Sequence, residues 1–463
     1  MSDLEARLRP WLASLLGVTA GTLELRDLQR LSGGASRVTW SLMAGDRPLI
    51  VQMGRPGGLS GSFAGEAVLL RAADAAGVPV ATVLGATDDP EVLGTSAIAM
   101  EFLEGEAVAR PILRDAAFAG ARTELVGQLA RAAASIHALD PEDFAYLRDD
   151  DPVHLLRGLH QSLGWAHPVF DLAFRWLDAH RPEPPAPSVV HGDLRLGNLL
   201  VDEGGLVAVL DWELAHLGDP AEDLMWACVK AWRFGQAAPV MGMGSVQDLL
   251  AAYVAAGGSP MAPERLRWWL VLGTLRWGVI CEVQVSQHLR GAGSLELAAI
   301  GRRVCETEHD LLDLLGLLDL APSDSVAPAS RAASVHDVPD AIELVAAVRA
   351  WLVGDVVDSD GPPRTRFSAR VAANVLGIVE RELAERPASG AEHQLRLASI
   401  GFADDVGLAA AIAAGAFDDR RAELAMVLVP SVVAKVRVAN PTYLETPRAD
   451  PWTPVATDVP APG

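Results

Sequence analysis

The sequence predicts an α+β chain, a mixed strand-and-helix region followed by a smaller all-α domain. Three observations carry this. Aliphatic and β-branched runs broken by Gly, Asp and Glu fall at 23–53, 96–103 and 188–210, the pattern of strands and hairpins. Helical periods lie between these runs and dominate 220–316. Residues 321–334 are rich in Ala, Ser and Pro, a linker composition, and only helical periods follow them. The expected divisions are 1–320, 335–440 and a Pro-rich tail, 441–463.

The elements follow in order. Residues 2–16 read as a short amphipathic helix, and 23–53 as strands around LSGGASRVTW (31–40). There Gly33, Gly34 and Ser36 have two readings. One is an ordinary hairpin turn. The other is a turn whose backbone N–H groups approach phosphate oxygens, which glycine permits. FAGEAVLLRAADAA (63–76) is a strong helix ended by Gly77, Val78 and Pro79, with Glu66 in its first turn, where the helix dipole favours an acid. SAIAMEFL (96–103) reads as a buried strand, and 121–138 as a helix ending at a packed His137. PEPPAP (182–187) is a stiff loop, and Trp268, Trp269 and Trp277 read as core. In the all-α domain, helices are expected at 338–353, 366–386, 404–415 and 418–439, with Pro430 kinking or splitting the last. Arg366, Arg370 and Asn374 share one helix face, either solvated or a partner or anion site. The tail is expected to be disordered at its end.

Composition narrows the function classes. With 463 residues, two domains can each bury a substantial core. Sixty acidic against 38 basic residues give a net charge of −22, which disfavours nucleic-acid and acidic-membrane partners. The longest apolar candidate, 268–283, is broken by Arg276, so no membrane span is expected. Cys228, Cys281 and Cys305 are far apart in helical patterns and point to buried thiols in a reduced protein. The charged start, MSDLEARLRP, has no signal-peptide pattern, and a cytoplasmic location is expected.

The chemistry concentrates in VVHGDLRLGNLLVDEGGLVAVLDWE, 189–213. Five residues separate Asp193 from Asn198, and thirteen separate Asn198 from Asp211. Phosphoryl transfer needs one carboxylate to orient a hydroxyl, and an amide and a second carboxylate to hold Mg²⁺ on a nucleotide. The H-R-D-L-x-x-x-N loop of protein kinases has the same Asp-to-Asn step. Turn residues 202–205 between two apolar runs predict a hairpin that returns Asp211 to Asn198. Asp193 is thus the expected hydroxyl-orienting residue, with Asn198 and Asp211 as metal ligands. Arg195 is a candidate for offsetting transferred charge, and Glu213 for a further metal ligand. His191 reads as a structural residue of the loop, and Asp219 as an N-cap before Pro220 that also ties the loop down.

These motifs, HGDLRLGNLL, VLDWE and GDPAEDLMW (218–226), resemble the aminoglycoside phosphotransferase and choline kinase-like family. The nearest branch is the kinase-like domain associated with acyl-CoA dehydrogenases, and the resemblance covers about 20–320. It implies a protein-kinase-like two-lobe fold that uses ATP or GTP with Mg²⁺ on a small-molecule alcohol, hydroxyacyl-CoA esters among the acceptor classes. It implies that Gly33, Gly34 and Ser36 lie over the phosphates and that Met100, Glu101 and Phe102 meet the nucleotide base. It also implies that Glu66 pairs with a basic residue of the third strand. The C-terminal region resembles an uncharacterised helical domain that accompanies such chains, a place for a protein partner or a second copy.

One departure stands out. The chain has two lysines, Lys230 and Lys435, and neither lies in the small lobe. The place of the usual third-strand lysine falls on Gln52 by strand alternation. Either Arg55 or Arg37 supplies the charge, or the chain is a non-catalytic nucleotide-binding or scaffold protein, a pseudokinase. A metal-dependent hydrolase using His191, Asp193 and Asp211 lacks the extra His ligands such sites recruit.

Overall fold

The structure, a computed structural model, describes residues 2–31, 37–55, 62–292, 295–321 and 341–452. Its contacts divide the chain into two units. The first is Met1–Asp149, Glu183–Phe234 and Ala238–Leu266; the second is Asp150–Pro182, Gly235–Ala237 and Arg267–Gly463. The described strands all fall in the first unit, so a mixed region followed by a helical one is the architecture observed.

The chain opens with α1 (Ser2–Leu16), β1 (Leu25–Arg30), β2 (Arg37–Ala44), β3 (Arg47–Gly54), α2 (Phe63–Ala75), β4 (Val83–Thr87), α3 (Pro90–Leu93) and β5 (Ala97–Glu101). There follow α4 (Ala109–Arg114), α5 (Ala119–His137), α6 (Pro152–Leu163), α7 (Pro168–Ala179), β6 (Ser188–Val190), β7 (Leu199–Asp202), β8 (Gly205–Val209) and β9 (His216–Gly218). Helices complete it: α8 (Ala221–Trp226), α9 (Val246–Ala255), α10 (Pro263–Gln287), α11 (Leu295–Gly301), α12 (Val304–Leu314), α13 (Ala341–Trp351), α14 (Pro363–Ser399), α15 (Asp405–Ala413) and α16 (Arg421–Ala439).

In the first unit, five antiparallel strands run in the order β1-β2-β3-β5-β4. One face of this sheet makes a core: Leu42 and Ala44 of β2, Leu49, Val51 and Met53 of β3, and Ala97 and Ala99 of β5 pack with Leu8 and Leu12 of α1. Strand alternation therefore turns Arg37, Thr39 and Gln52 to the opposite face. Gln52 faces Thr39 and Arg37 faces Gly54, which makes Arg37 the diagonal neighbour of Gln52. Helix α2 starts where Ser62 Oγ accepts the Gly65 N–H at 2.9 Å and Asp88 accepts that of Phe63 at 2.8 Å. The β7–β8 hairpin pairs Leu199 with Val209, and Leu210 N donates to Asn198 O at 2.8 Å. Asn198 and Asp211 thereby emerge at one end of the hairpin.

The second unit joins α6, α7 and the helices from Arg267 onward, so its limits do not follow the boundary expected at 321–334. The reason lies on α12, where Glu306, Glu308, Asp310 and Asp313 are all buried. Buried carboxylates require partners, and the C-terminal region supplies them. Lys435 Nζ lies 3.0 Å from Glu308, Asn440 Nδ2 2.8 Å from Glu306, and the Tyr443 hydroxyl 2.6 Å from Asp310. Arg448 pairs with Asp313, whose other oxygen accepts the Ala449 N–H at 2.7 Å. Residues 441–452, expected to begin a Pro-rich tail, are thus packed; 453–463 lie outside the described residues.

Pro430 does not split its helix: α16 runs unbroken through it. The carbonyl freed four residues earlier belongs to Met426, whose side chain is 46% exposed, so the helix meets solvent at that turn. Among the described residues no helix is long and apolar enough to cross a membrane. All three cysteines are buried and free.

Candidate active site

The loop after β6 is fixed from below. Asp223 of α8 accepts the N–H groups of His191 and Gly192, each at 2.8 Å. His137 Nε2 stands 3.1 Å from the same carboxylate and is positioned by the Tyr253 hydroxyl at 2.9 Å. Burial alone would raise the Asp223 carboxyl, but the His137 bond and charge and the loop amides bring it down to about 2. Asp223, not Asp219, is the residue that ties the loop down. Asp219 accepts the Ala221 N–H at 2.8 Å and pairs with Arg265. Gly192 has φ 77°, and a Cβ there would lie 2.5 Å from the Leu214 carbonyl, so this position requires glycine. His191 is buried, accepts the Asp193 N–H at Nδ1 (3.2 Å) and donates from Nε2 to Leu210 O (3.0 Å). Burial pulls its pKa down, so the neutral ring serves as a structural tie.

That platform presents Asp193. Its Oδ1 accepts Arg195 Nε at 3.0 Å and the Trp226 indole N–H at 2.6 Å. Its Oδ2 accepts Asn198 Nδ2 at 2.5 Å. A carboxylate offers about four acceptor positions. Three are taken among the described residues, and the remaining one is on Oδ2. Asn198 Nδ2 also donates to the Asp193 carbonyl at 3.0 Å. Both amide hydrogens are then engaged, which leaves Oδ1 of Asn198 as an acceptor for something else. Arg195 also lies over the Trp232 ring, 4.5 Å from its centroid, and Trp232 meets Trp226 edge-on at 5.3 Å. Trp226 and Trp232 were not singled out by sequence reasoning; their signal was position, since Trp226 ends the GDPAEDLMW motif.

Across from this loop stands an ion cluster around Arg37. Its guanidinium donates to both Glu66 oxygens (2.8 and 2.6 Å), to Gln52 Oε1 (3.1 Å) and to Glu213 Oε2 (2.9 Å). Arg37 and Glu66 side chains are only 5% and 8% exposed. Burial would lower the Arg37 pKa, yet the Glu66 bond and the charges of Glu66, Glu213 and Asp211 raise it above the ordinary value. The basic partner of Glu66 is thus an arginine of the second strand, where a basic residue of the third was implied. The register explains it: Gly54 opposite Arg37 leaves room for a long side chain to swing across Gln52 toward α2.

Asp211 completes the cluster. Its φ is 62°, a left-handed conformation that a non-glycine residue holds only under constraint. Burial first, then the charges of Glu213, Asp193 and Glu66, push its carboxyl up to about 6, against the pull of Arg37. A carboxyl raised this way is held in a buried setting beside other acids, where a bound cation would favour its charged form. The donor set suits Mg²⁺, a hard cation that keeps several waters and takes few protein oxygens when phosphates supply others. Asp211 and Asn198 Oδ1 fit that demand, whereas Glu213 Oε2 is already held by Arg37. No group of three or more His, Cys, Asp or Glu forms an all-protein metal cage among the described residues.

The other expected residues fall as follows. Arg55 is exposed at the end of β3. Met100 is buried within the β3–β5–β4 ladder. The N–H groups of Glu101 and Phe102 donate to Thr82 O (2.9 Å) and Pro48 O (3.1 Å), so a nucleotide base would have to use other backbone groups there. Gly33, Gly34 and Ser36 lie outside the described residues.

Known proteins bear on this geometry. A putative aminoglycoside phosphotransferase from Ralstonia eutropha has a similar fold, with a TM-score of 0.56 at 21% identity over 67% of this chain and 98% of that one. Acyl-CoA dehydrogenase family member 10 of Mus musculus is 26% identical over 333 residues, 66% of this chain and 30% of that protein. Acyl-CoA dehydrogenase family member 11 of Homo sapiens is 25% identical over 322 residues, 64% of this chain and 40% of that protein. The chain spans only about a third of the length of these curated relatives. Residues 360–443 match a domain of unknown function, DUF6285. Residues 27–269, just over half of the sequence and inclusive of every residue of the cluster, match the phosphotransferase enzyme family, APH, and the chain belongs to that family.

Proposed function

We propose that this chain transfers the terminal phosphoryl group of a nucleoside triphosphate to the hydroxyl of a small molecule. The observation that carries the reading is the one acceptor position left on Asp193 Oδ2, beside an Asn198 Oδ1 freed for a cation. The substrate hydroxyl donates to Oδ2 and is held in line with the phosphorus. Its oxygen forms the new P–O bond as the bond to the leaving diphosphate breaks, and its proton passes toward the carboxylate. Bound Mg²⁺, held by Asn198 and Asp211, would neutralise charge on the nucleotide phosphates. Among the described residues four of the five Arg37 N–H donors are occupied, and the fifth, on Nη2, is the one offered to a phosphate oxygen. Arg195 stands next to Asp193 to offset charge on the transferred group.

ATP and GTP are both compatible with these contacts. The relatives' names point to an acyl-CoA environment, which supports hydroxyacyl-CoA esters as the first acceptors to try. A non-catalytic nucleotide-binding role is favoured only by the absent small-lobe lysine and the occupied Glu101 and Phe102 amides. The test is thermal denaturation with Mg·ATP, Mg·GTP and each nucleotide with EDTA, followed by an unbiased metabolite screen for phosphorylation. A magnesium-dependent rise in melting temperature and a phosphorylated alcohol are expected. No shift with either nucleotide and no product would transfer the reading to a scaffold.

A further inference from the structure

The second unit contains a cavity of about 390 Å³ with an opening to solvent, walled by α12, α14 and α16. That volume is at the lower end for small-molecule sites and far above what a few waters need. Its charged lining is Arg302, Arg396 and Lys435 against Glu308 and Glu382, an excess of one positive charge in a chain of net charge −22. Both carboxylates are already matched. Lys435 and His167 hold Glu308, and Arg302 Nη1 lies 3.0 Å from Glu382.

The cation left over is Arg396. Its Nε donates to Ser431 Oγ at 3.3 Å, and its Nη1 reaches Glu392, an exposed neighbour one helical turn away, only at 3.5 Å. Such a surface pair is weak and easily exchanged. A guanidinium has five N–H donors, so three remain without a partner among the described residues. His393 beside it is fixed by Ser431 Oγ at 2.9 Å and Asp405 at 3.0 Å, and so frames the place without competing for the ligand. Val304, Ala434, Val438 and Ala439 give the wall its apolar surface. Cys305 also lines it, but burial pushes this thiol up to about 12, so it stays protonated at neutral pH and offers no nucleophile. The cavity is equipped to bind, and not to react.

We propose that this cavity binds a small amphipathic organic anion, a carboxylate or phosphate monoester on a short apolar stem, with its head on Arg396 and its stem against Val304, Ala434 and Val438. Arginine's planar fork suits either oxyanion. The inference does not rest on the phosphotransfer reading.

Calorimetry on the full chain at pH 7 tests it, with octanoate, octyl phosphate, inorganic phosphate and octylamine as probes. Saturable one-to-one binding of octanoate, octyl phosphate or both is expected, and the stronger of the two identifies the head group. Inorganic phosphate should bind more weakly for want of a stem, and octylamine not at all. Arg396→Gln should weaken the bound anion roughly tenfold or more, the loss of a charge-assisted bond, at unchanged ligand-free melting temperature. Ala434→Met, which fills the cavity without touching charge, should also weaken it and serves if Arg396→Gln folds poorly. The proposal is overturned if neither anion saturates, if octylamine binds as well, or if a folded Arg396→Gln or Ala434→Met binds like the parent.

Discussion

Two groups of buried acids in this molecule are treated in opposite ways. On α12, each of Glu306, Glu308, Asp310 and Asp313 has a partner from the C-terminal segment, and Glu308 is brought down to about 2 by Lys435 and His167 despite burial. In the first unit, Asp211 shares one arginine with Glu66 and Glu213, and its carboxyl is pushed up to about 6. The difference is one of stoichiometry. Where cations and donors match the carboxylates, the cluster holds the fold together. Where one arginine serves several acids and burial raises a carboxyl, the cluster has the perturbed electrostatics common at functional sites.

The comparison can be broken most severely at its balanced end. Deleting 335–463 would strip all four α12 carboxylates of these partners, leaving Arg303 for Glu306 and His167 for Glu308. The shortened chain is expected to lose the cooperative melting of its second unit, in circular dichroism or calorimetry. Retention of two intact transitions would support 321–334 as a boundary between separable folding units.

At the other end, Asp193→Asn should leave Mg·ATP binding intact and lower transfer by about 10²–10⁴-fold, the usual worth of a positioned proton acceptor. Near-normal turnover with an accepted substrate would remove Asp193 from its role. Arg37→Ala removes the cation shared by Glu66 and Glu213 and should cost about 3–5 kcal/mol in urea unfolding, as breaking a buried ion pair does. It should also raise the Michaelis constant for ATP about tenfold or more. Arg37→Lys keeps the charge but not the fork, and is expected to fall between.

The pH dependence sharpens the contrast because the signs differ. The folded-state pKa of Asp211 is raised, so folding binds a proton there between about pH 4 and 6. Stability from this group is then present at low pH and declines as pH rises through that window, by about 3 kcal/mol. Asp211→Asn should abolish the decline, stabilise the ligand-free protein at pH 7, and eliminate magnesium-dependent nucleotide binding. Glu308 is lowered instead, so its contribution is present above about 4.5 and lost as pH falls toward 2. Acid and neutral-pH melting of Glu308→Gln and Asp211→Asn should therefore change in opposite senses. The smallest effect belongs to Lys435→Met. Its side chain is 42% exposed, so the loss should be about 2–3 kcal/mol, less than for a fully buried pair.

Much of this molecule could be read from the sequence because the relevant signals are local. Strand alternation, turn residues and helical periods put β2, β3, α2, β5 and the β7–β8 hairpin within a few residues of where they lie. The steps from Asp193 to Asn198 to Asp211 sit inside one loop and one hairpin, where chain geometry alone brings them together. What required tertiary structure were the pairings made across long separations. Asp223 supports a loop 31 residues earlier, Arg37 of β2 takes the place expected of a third-strand lysine, and Trp226 donates to Asp193. The burial of the α12 acids depends on α16 and residues 440–450, far along the chain, packing over them. A sequence specifies which groups carry charge and how each short segment is inclined to fold. Which charges end up buried together is decided by packing, since only packing removes the water that would otherwise make their partners irrelevant.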